Sequence, residues 1–318
     1  MLGRNANKML ALAGVALAMT ASGAAAAGIS IRELGAEQLR VATIGYRIAA
    51  ANAQSCARPE MMSGIISHDL TQYPAPARAL VSRAFSIRAG FGVLQIVPGS
   101  AADRAGLKID DEIVAVGDAR VEDQSAVERS RESYDREDRF LAILSAALAK
   151  GPTQLLVRRA GELLHLTIQG QSGCGGNVVL STSSNLNAWS DGRRVLVTTA
   201  MMQQAANDDE LAFVIAHEMA HNILGHAKNE SMGLFGMLGF GSARVKSMEV
   251  DADSYAVPLM NAAGYSPFGG ISFLESASRR MWWSDLSLDH PSFGRRIRVV
   301  IAAIGRLPRA SGTRLAQL

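Results

Sequence analysis

The sequence predicts an α+β protein of more than one domain, and three observations carry that reading. The chain has 318 residues, more than a single core of ~100 to 200 residues fills. Short apolar runs punctuated by Pro, Gly and Asp crowd the stretch from Phe91 to Ile168, as in a β-rich module. The stretch from Asn207 to His226 instead carries a largely apolar helix body with two histidines four residues apart. With 48% hydrophobic and 19% charged residues, the composition suits a packed core and excludes a disordered chain.

Residues 1–27 read as a cleaved export signal. Arg4 and Lys8 form its basic start, Met9 to Met19 its apolar stretch, and Ala24 to Ala27 the small residues that signal peptidase accepts. The apolar part falls short of the ~20 residues a spanning helix needs. Without Arg4 and Lys8, 30 basic residues face 29 acidic ones, so a nucleic-acid partner has no electrostatic support. Within 28–81, Leu34, Leu39, Ile44 and Ile48 recur at helical intervals between Ser30 and about Gln54, and a connector follows with one strand around Ile65-Ile66. Export makes a disulfide between Cys56 and Cys174 the expected fate of an even pair of thiols. The alternative is two unrelated buried thiols.

Residues 82–172 form the β-rich module. Phe91 to Val97 is a strand, Pro98-Gly99-Ser100 a turn, Ala101 to Ala105 a short helix ended by Gly106, and Glu112 to Val116 a second strand. A hairpin, Leu155 to Arg159 and Leu163 to Ile168, turns at Ala160-Gly161. In Phe91-Gly92-Val93, Pro98 to Ala102, Ala105-Gly106-Leu107 and Asp111-Glu112-Ile113 this stretch resembles a PDZ domain. The resemblance implies that amides around Phe91, Gly92 and Val93 hold a peptide's terminal carboxylate while the strand edge pairs with the peptide. Asp110 departs from the pattern, standing where a glycine is usual, and Asp123 to Lys150 is longer and more charged than the usual groove helix. A PDZ-like spacer with a blocked groove is the alternative.

The chemistry lies in residues 173–318. The string His217-Glu218-Met219-Ala220-His221 is an HExxH motif, for which 6 His and 14 Glu give a chance expectation of roughly 0.005. Asn207 to Glu210 offers a capping-box-like start to its helix. On that helix His217 and His221 are about 40° apart around the axis and roughly 6 Å along it, so both imidazoles reach one zinc ion. Glu218 projects beside the open position and serves as general base. A metzincin histidine would fall at Ala227. His226 comes one residue early, and on a continuing helix it points away from His217, which leaves it a structural or supporting role. Glu249 is the candidate third ligand, and Asp253, on the same face of a second helix, can fix the tautomer of a ligand histidine.

These residues resemble the gluzincin family that includes HtpX, the CaaX prenyl protease and BepA-like periplasmic proteases. The similarity runs from about Gly175 to Leu307 and includes Asn187-Ala188-Trp189, the zinc helix, Glu249 to Asp253, and His290-Pro291 with Arg296. It implies a mostly helical domain with a small sheet, Glu249 as third ligand, and Asn187, Ala188 and Trp189 as the edge that pairs with substrate. It also implies that His290 and Arg296 lie over the metal, stabilising the oxyanion or, for His290, filling the open position. The chain lacks the spanning helices of the membrane-embedded members. Its apolar run 232–240 is too short to span and suggests a lid or a loop touching a membrane. The expectation is an exported, periplasmic metalloendopeptidase with one Zn²⁺ per chain, acting on protein or peptide substrates in envelope quality control. The alternative is a PDZ-type chaperone or adaptor with a silenced or structural zinc site.

Overall fold

The computed structural model describes residues 21–57, 59–174, 177–192, 194–226, 242–280 and 291–308. The chain divides into two compact units, Met1–Trp189 with Arg193–Gln204, and Ser190–Gly192 with Ala205–Leu318. Residues 1–20, the 232–240 run and His290 lie outside the described residues. No described helix is long and apolar enough to cross a membrane.

The first unit opens with α1 (Ala21–Ala51). Its Val41, Ile44 and Ile48 are spaced at helical intervals and fully buried, while Leu34 and Leu39 are half-buried. Next come β1 (Glu60–Met62), β2 (Ile65–His68) and α2 (Ala75–Phe85). The module expected from the sequence follows as β3 (Phe91–Ile96), α3 (Ala101–Arg104), β4 (Glu112–Val116), β5 (Ala119–Arg120), α4 (Gln124–Arg129), α5 (Asp135–Leu148), β6 (Thr153–Arg159) and β7 (Glu162–Ile168). Ala160 and Gly161 both have positive φ, 50° and 91°, as a two-residue hairpin turn between β6 and β7 requires.

The sheet order is β2-β3-β4-β6-β7, with β5 beside β4. The module therefore begins before residue 82. β2 pairs antiparallel with β3, from Ile65 opposite Ile96 to His68 opposite Gly92, and Ile65 shares a core with Phe91, Val93, Ile113, Phe140, Leu155 and Val157. The register shifts between Ile66 and Ser67, and Ile65 and Phe91 share one face, so a one-residue slip of β2 would turn Ile65 away from that core. Phe91, Gly92 and Val93 thus sit in a strand with neighbours on both edges. The Val93 amide donates to Asp111 O at 2.8 Å, and the amides of Arg88, Ala89 and Gly90 donate to the buried carboxylate of Glu112 at 2.7, 2.9 and 2.7 Å. A peptide could add to β3 only if β2 left it. Asp110 adopts φ +68°, the conformation for which glycine is usual, and Arg32 of α1 holds its carboxylate at 3.0 Å.

The unit closes with β8 (Gln171–Gly173), β9 (Asn177–Ser181), β10 (Ala188–Ser190), β11 (Arg194–Thr198) and α6 (Thr199–Gln204). β8 pairs with β1, and Cys174, one residue beyond, is bonded to Cys56 across 118 positions of sequence with the Cα atoms 5.3 Å apart. The expected disulfide is present. β10, β11 and β9 form a second sheet in that order, with β10 at an edge. Gln38 of α1 donates to Val178 O at 2.9 Å and accepts from Leu180 N at 2.6 Å. That side chain bonds β9 to α1, so the boundary expected at residue 173 falls later: β9, β11 and α6 belong with the first unit.

The second unit is helical: α7 (Asp208–Ile223), α8 (Ser242–Ala262), α9 (Phe268–Arg280) and α10 (Phe293–Gly305). α9 packs on α7 through two glycines. A Cβ on Gly269 would meet the Asp209 backbone at 2.5 Å, and one on Gly270 the Phe213 ring at 2.6 Å. α8 packs on both α7 and α10, which brings residues from three helices to one place.

Candidate metal centre

α7 begins where the sequence expects it. Asn207 caps it by accepting from Glu210 N at 3.0 Å, while the Glu210 carboxylate reaches back to Ala206 N at 2.9 Å. Leu211, Ala212, Phe213, Ile215 and Ala216 are buried, so the helix is anchored before it reaches His217. Glu249 arrives from the middle of α8.

Three donor groups meet. His217 Nε2 and His221 Nε2 are 3.2 Å apart, His221 Nε2 lies 3.3 Å from Glu249 Oε1, and His217 Nε2 lies 3.5 Å from Glu249 Oε2. Tetrahedral zinc with ligand bonds of about 2.0–2.1 Å has ligand-to-ligand edges of roughly 3.3–3.4 Å. The triangle has that size. Two imidazole nitrogens and a carboxylate oxygen also form the donor set of a catalytic zinc with one position open. Among the described residues these are the only three His, Cys, Asp or Glu side chains so grouped.

Behind the triangle, His217 Nδ1 lies 3.0 Å from Asp253 Oδ1. Arg296 of α10 donates to Asp253 from Nε at 2.8 Å and Nη2 at 2.7 Å. Burial works against charge on His217, but Asp253 and Glu249 outweigh it and raise the imidazole to about 10. Burial raises the Asp253 carboxyl, and Arg296 and His217 bring it below its ordinary value. Glu218 follows His217 on α7, and desolvation raises its carboxyl while the two histidines oppose the shift.

The expected residues separate into three groups. His217, Glu218, His221, Glu249 and Asp253 are brought together with Arg296, which the structure places on Asp253. Ala188 and Trp189 lie in β10 and Asn187 just before it, with Asn187 O accepting from Thr198 N at 3.0 Å. His290 lies outside the described residues. The direction expected for His226 requires a correction. α7 does not continue: Leu224 ends it, Gly225 takes φ +72°, and the chain turns so that His226 Nδ1 comes within 3.0 Å of His221 Nδ1. The glycine one residue before His226 was the available signal. Asn222 was missed, and its Oδ1 accepts from Gly192 N at 2.7 Å, tying the turn after β10 to the end of α7. No local pattern announces that bond.

This helix pair brings together a donor set that could hold a metal ion. Residues 170–245, about a quarter of the chain, match the model of Peptidase family M48. The match includes the HExxH helix but stops short of Glu249, Asp253 and Arg296, which the fold supplies. No curated protein matches the chain.

Proposed function

We propose that the protein is an exported zinc metalloendopeptidase that cleaves protein substrates in the bacterial envelope, in a quality-control role. The observation that carries this reading is the His217, His221 and Glu249 triangle with Glu218 beside it on α7. Zinc held there would supply a Lewis acid that polarises a carbonyl and lowers the pKa of water towards ~7. Glu218 takes the proton of the attacking water and delivers it to the leaving amine, a task suited to a carboxyl raised by desolvation. Asp253 orients His217, and Arg296 holds Asp253, so Arg296 works through the ligand shell. The edge of β10 receives substrate backbone. His290, on the family resemblance, governs access to the open position. The Cys56 to Cys174 bridge supports export, since such bonds persist in oxidising compartments.

Casein cleavage by wild type and Glu218→Ala, with zinc content measured on both, tests the reading. The expected result is one zinc in each protein and cleavage reduced by at least about 10²-fold in the variant, the scale of a lost general base. Equal cleavage by the two would refute it.

A further inference from the structure

We infer that His226 is a positioning residue for the metal, acting as hydrogen-bond acceptor for the ligand His221. The inference rests on the zinc reading and extends it to a residue outside the HExxH motif. His221 presents Nε2 to His217 and Glu249 and turns Nδ1 to His226 Nδ1 at 3.0 Å. A neutral imidazole that gives the lone pair of Nε2 to a metal carries its proton on Nδ1. In the loaded site the His221 Nδ1–H therefore donates and His226 Nδ1 accepts. That leaves the His226 proton on Nε2, and His226 lines a cleft of about 310 Å³ with Leu224, Asp251, Ser254 and Tyr255. The ligand ring is thereby held in one tautomer and one orientation, as Asp253 holds His217 from the other side. Gly225 makes this possible. Its left-handed backbone, φ +72°, folds the chain back after the helix, and a Cβ there would meet nothing within 4 Å among the described residues, so the conformation calls for glycine.

Zinc affinity in the full-length protein, read by competition with a chromophoric chelator, tests this without relying on activity. His226→Leu keeps apolar bulk without an acceptor and should weaken zinc about 10- to 100-fold, the usual loss for a ligand's outer partner. His226→Asn offers an amide oxygen near the Nδ1 position and should recover most of that loss. His226→Lys, which opposes donor to donor, should bind worst. Thermal unfolding of the metal-free proteins, if it moves little among the three, assigns the loss to the metal. Leu at 226 binding zinc as wild type does, or Asn binding no better than Leu, would overturn the inference. Wild type that takes up no zinc would instead fail the metal reading itself and remove the inference with it.

Discussion

His68 shows at the residue scale how the first unit places a polar group in its core. The ring is 2% exposed. Its Nδ1 meets the Tyr73 hydroxyl at 2.8 Å, its ring packs edge-on against Phe85, and Nε2 has no hydrogen-bond partner among the described residues. Burial, helped by the charge of Arg32, lowers its pKa to about 3. The folded state keeps His68 neutral where the unfolded chain, with an ordinary value of 6.5, takes up a proton. The depressed pKa therefore costs no stability above pH 6.5, and stability falls as pH drops from there towards 3, by about 1.4 kcal/mol per pH unit for one proton. Chemical denaturation between pH 7 and 4.5 should show this slope in wild type and a smaller one in His68→Phe, whose ring fills similar volume. Identical slopes would show that His68 does not carry the acid sensitivity.

At the element scale, β10 is the part of the proposal most open to direct test. Asn187 is bonded to Thr198, so by strand alternation the Ala188 amide faces away from β11, and it has no partner strand there among the described residues. Proline is tolerated on an edge strand in that orientation, because no ladder bond is lost. Ala188→Pro should fold normally by circular dichroism and lower kcat/KM for a peptide substrate roughly threefold to tenfold, the worth of one backbone hydrogen bond of about 0.5–1.5 kcal/mol. Unchanged kcat/KM in a folded variant would remove β10 as the substrate edge. Elements built from local signals were legible in the sequence: the cap at Asn207, the hairpin turn at Ala160-Gly161, and the apolar face of α1. What escaped were the joins made at a distance. β2 fills the edge of β3 through a pairing between segments about 30 residues apart, and Gln38 reaches β9 across 140 positions. His226 was read as structural or supporting, and only its direction escaped, since one glycine reversed the course that a continuing helix would have set.

At the scale of the whole molecule, the candidate metal centre takes its parts from segments that the sequence keeps far apart. His217 and His221 come from α7, Glu249 and Asp253 from α8, and Arg296 from α10. Each helix is oriented by its own packing, such as the close approach of Gly270 to Phe213, and the donor triangle results from these contacts together. The disulfide adds stability of a different kind. Closing 118 positions removes unfolded-state entropy worth about 4 to 5 kcal/mol. The central claim is that His217, His221 and Glu249 hold one catalytic zinc. Metal analysis of the purified, full-length protein, paired with a casein assay on wild type and Glu249→Ala, tests it most directly. One zinc per chain is expected in wild type, with most of the metal and the cleavage lost together in the variant. A Glu249→Ala protein that keeps stoichiometric zinc and full activity would contradict it.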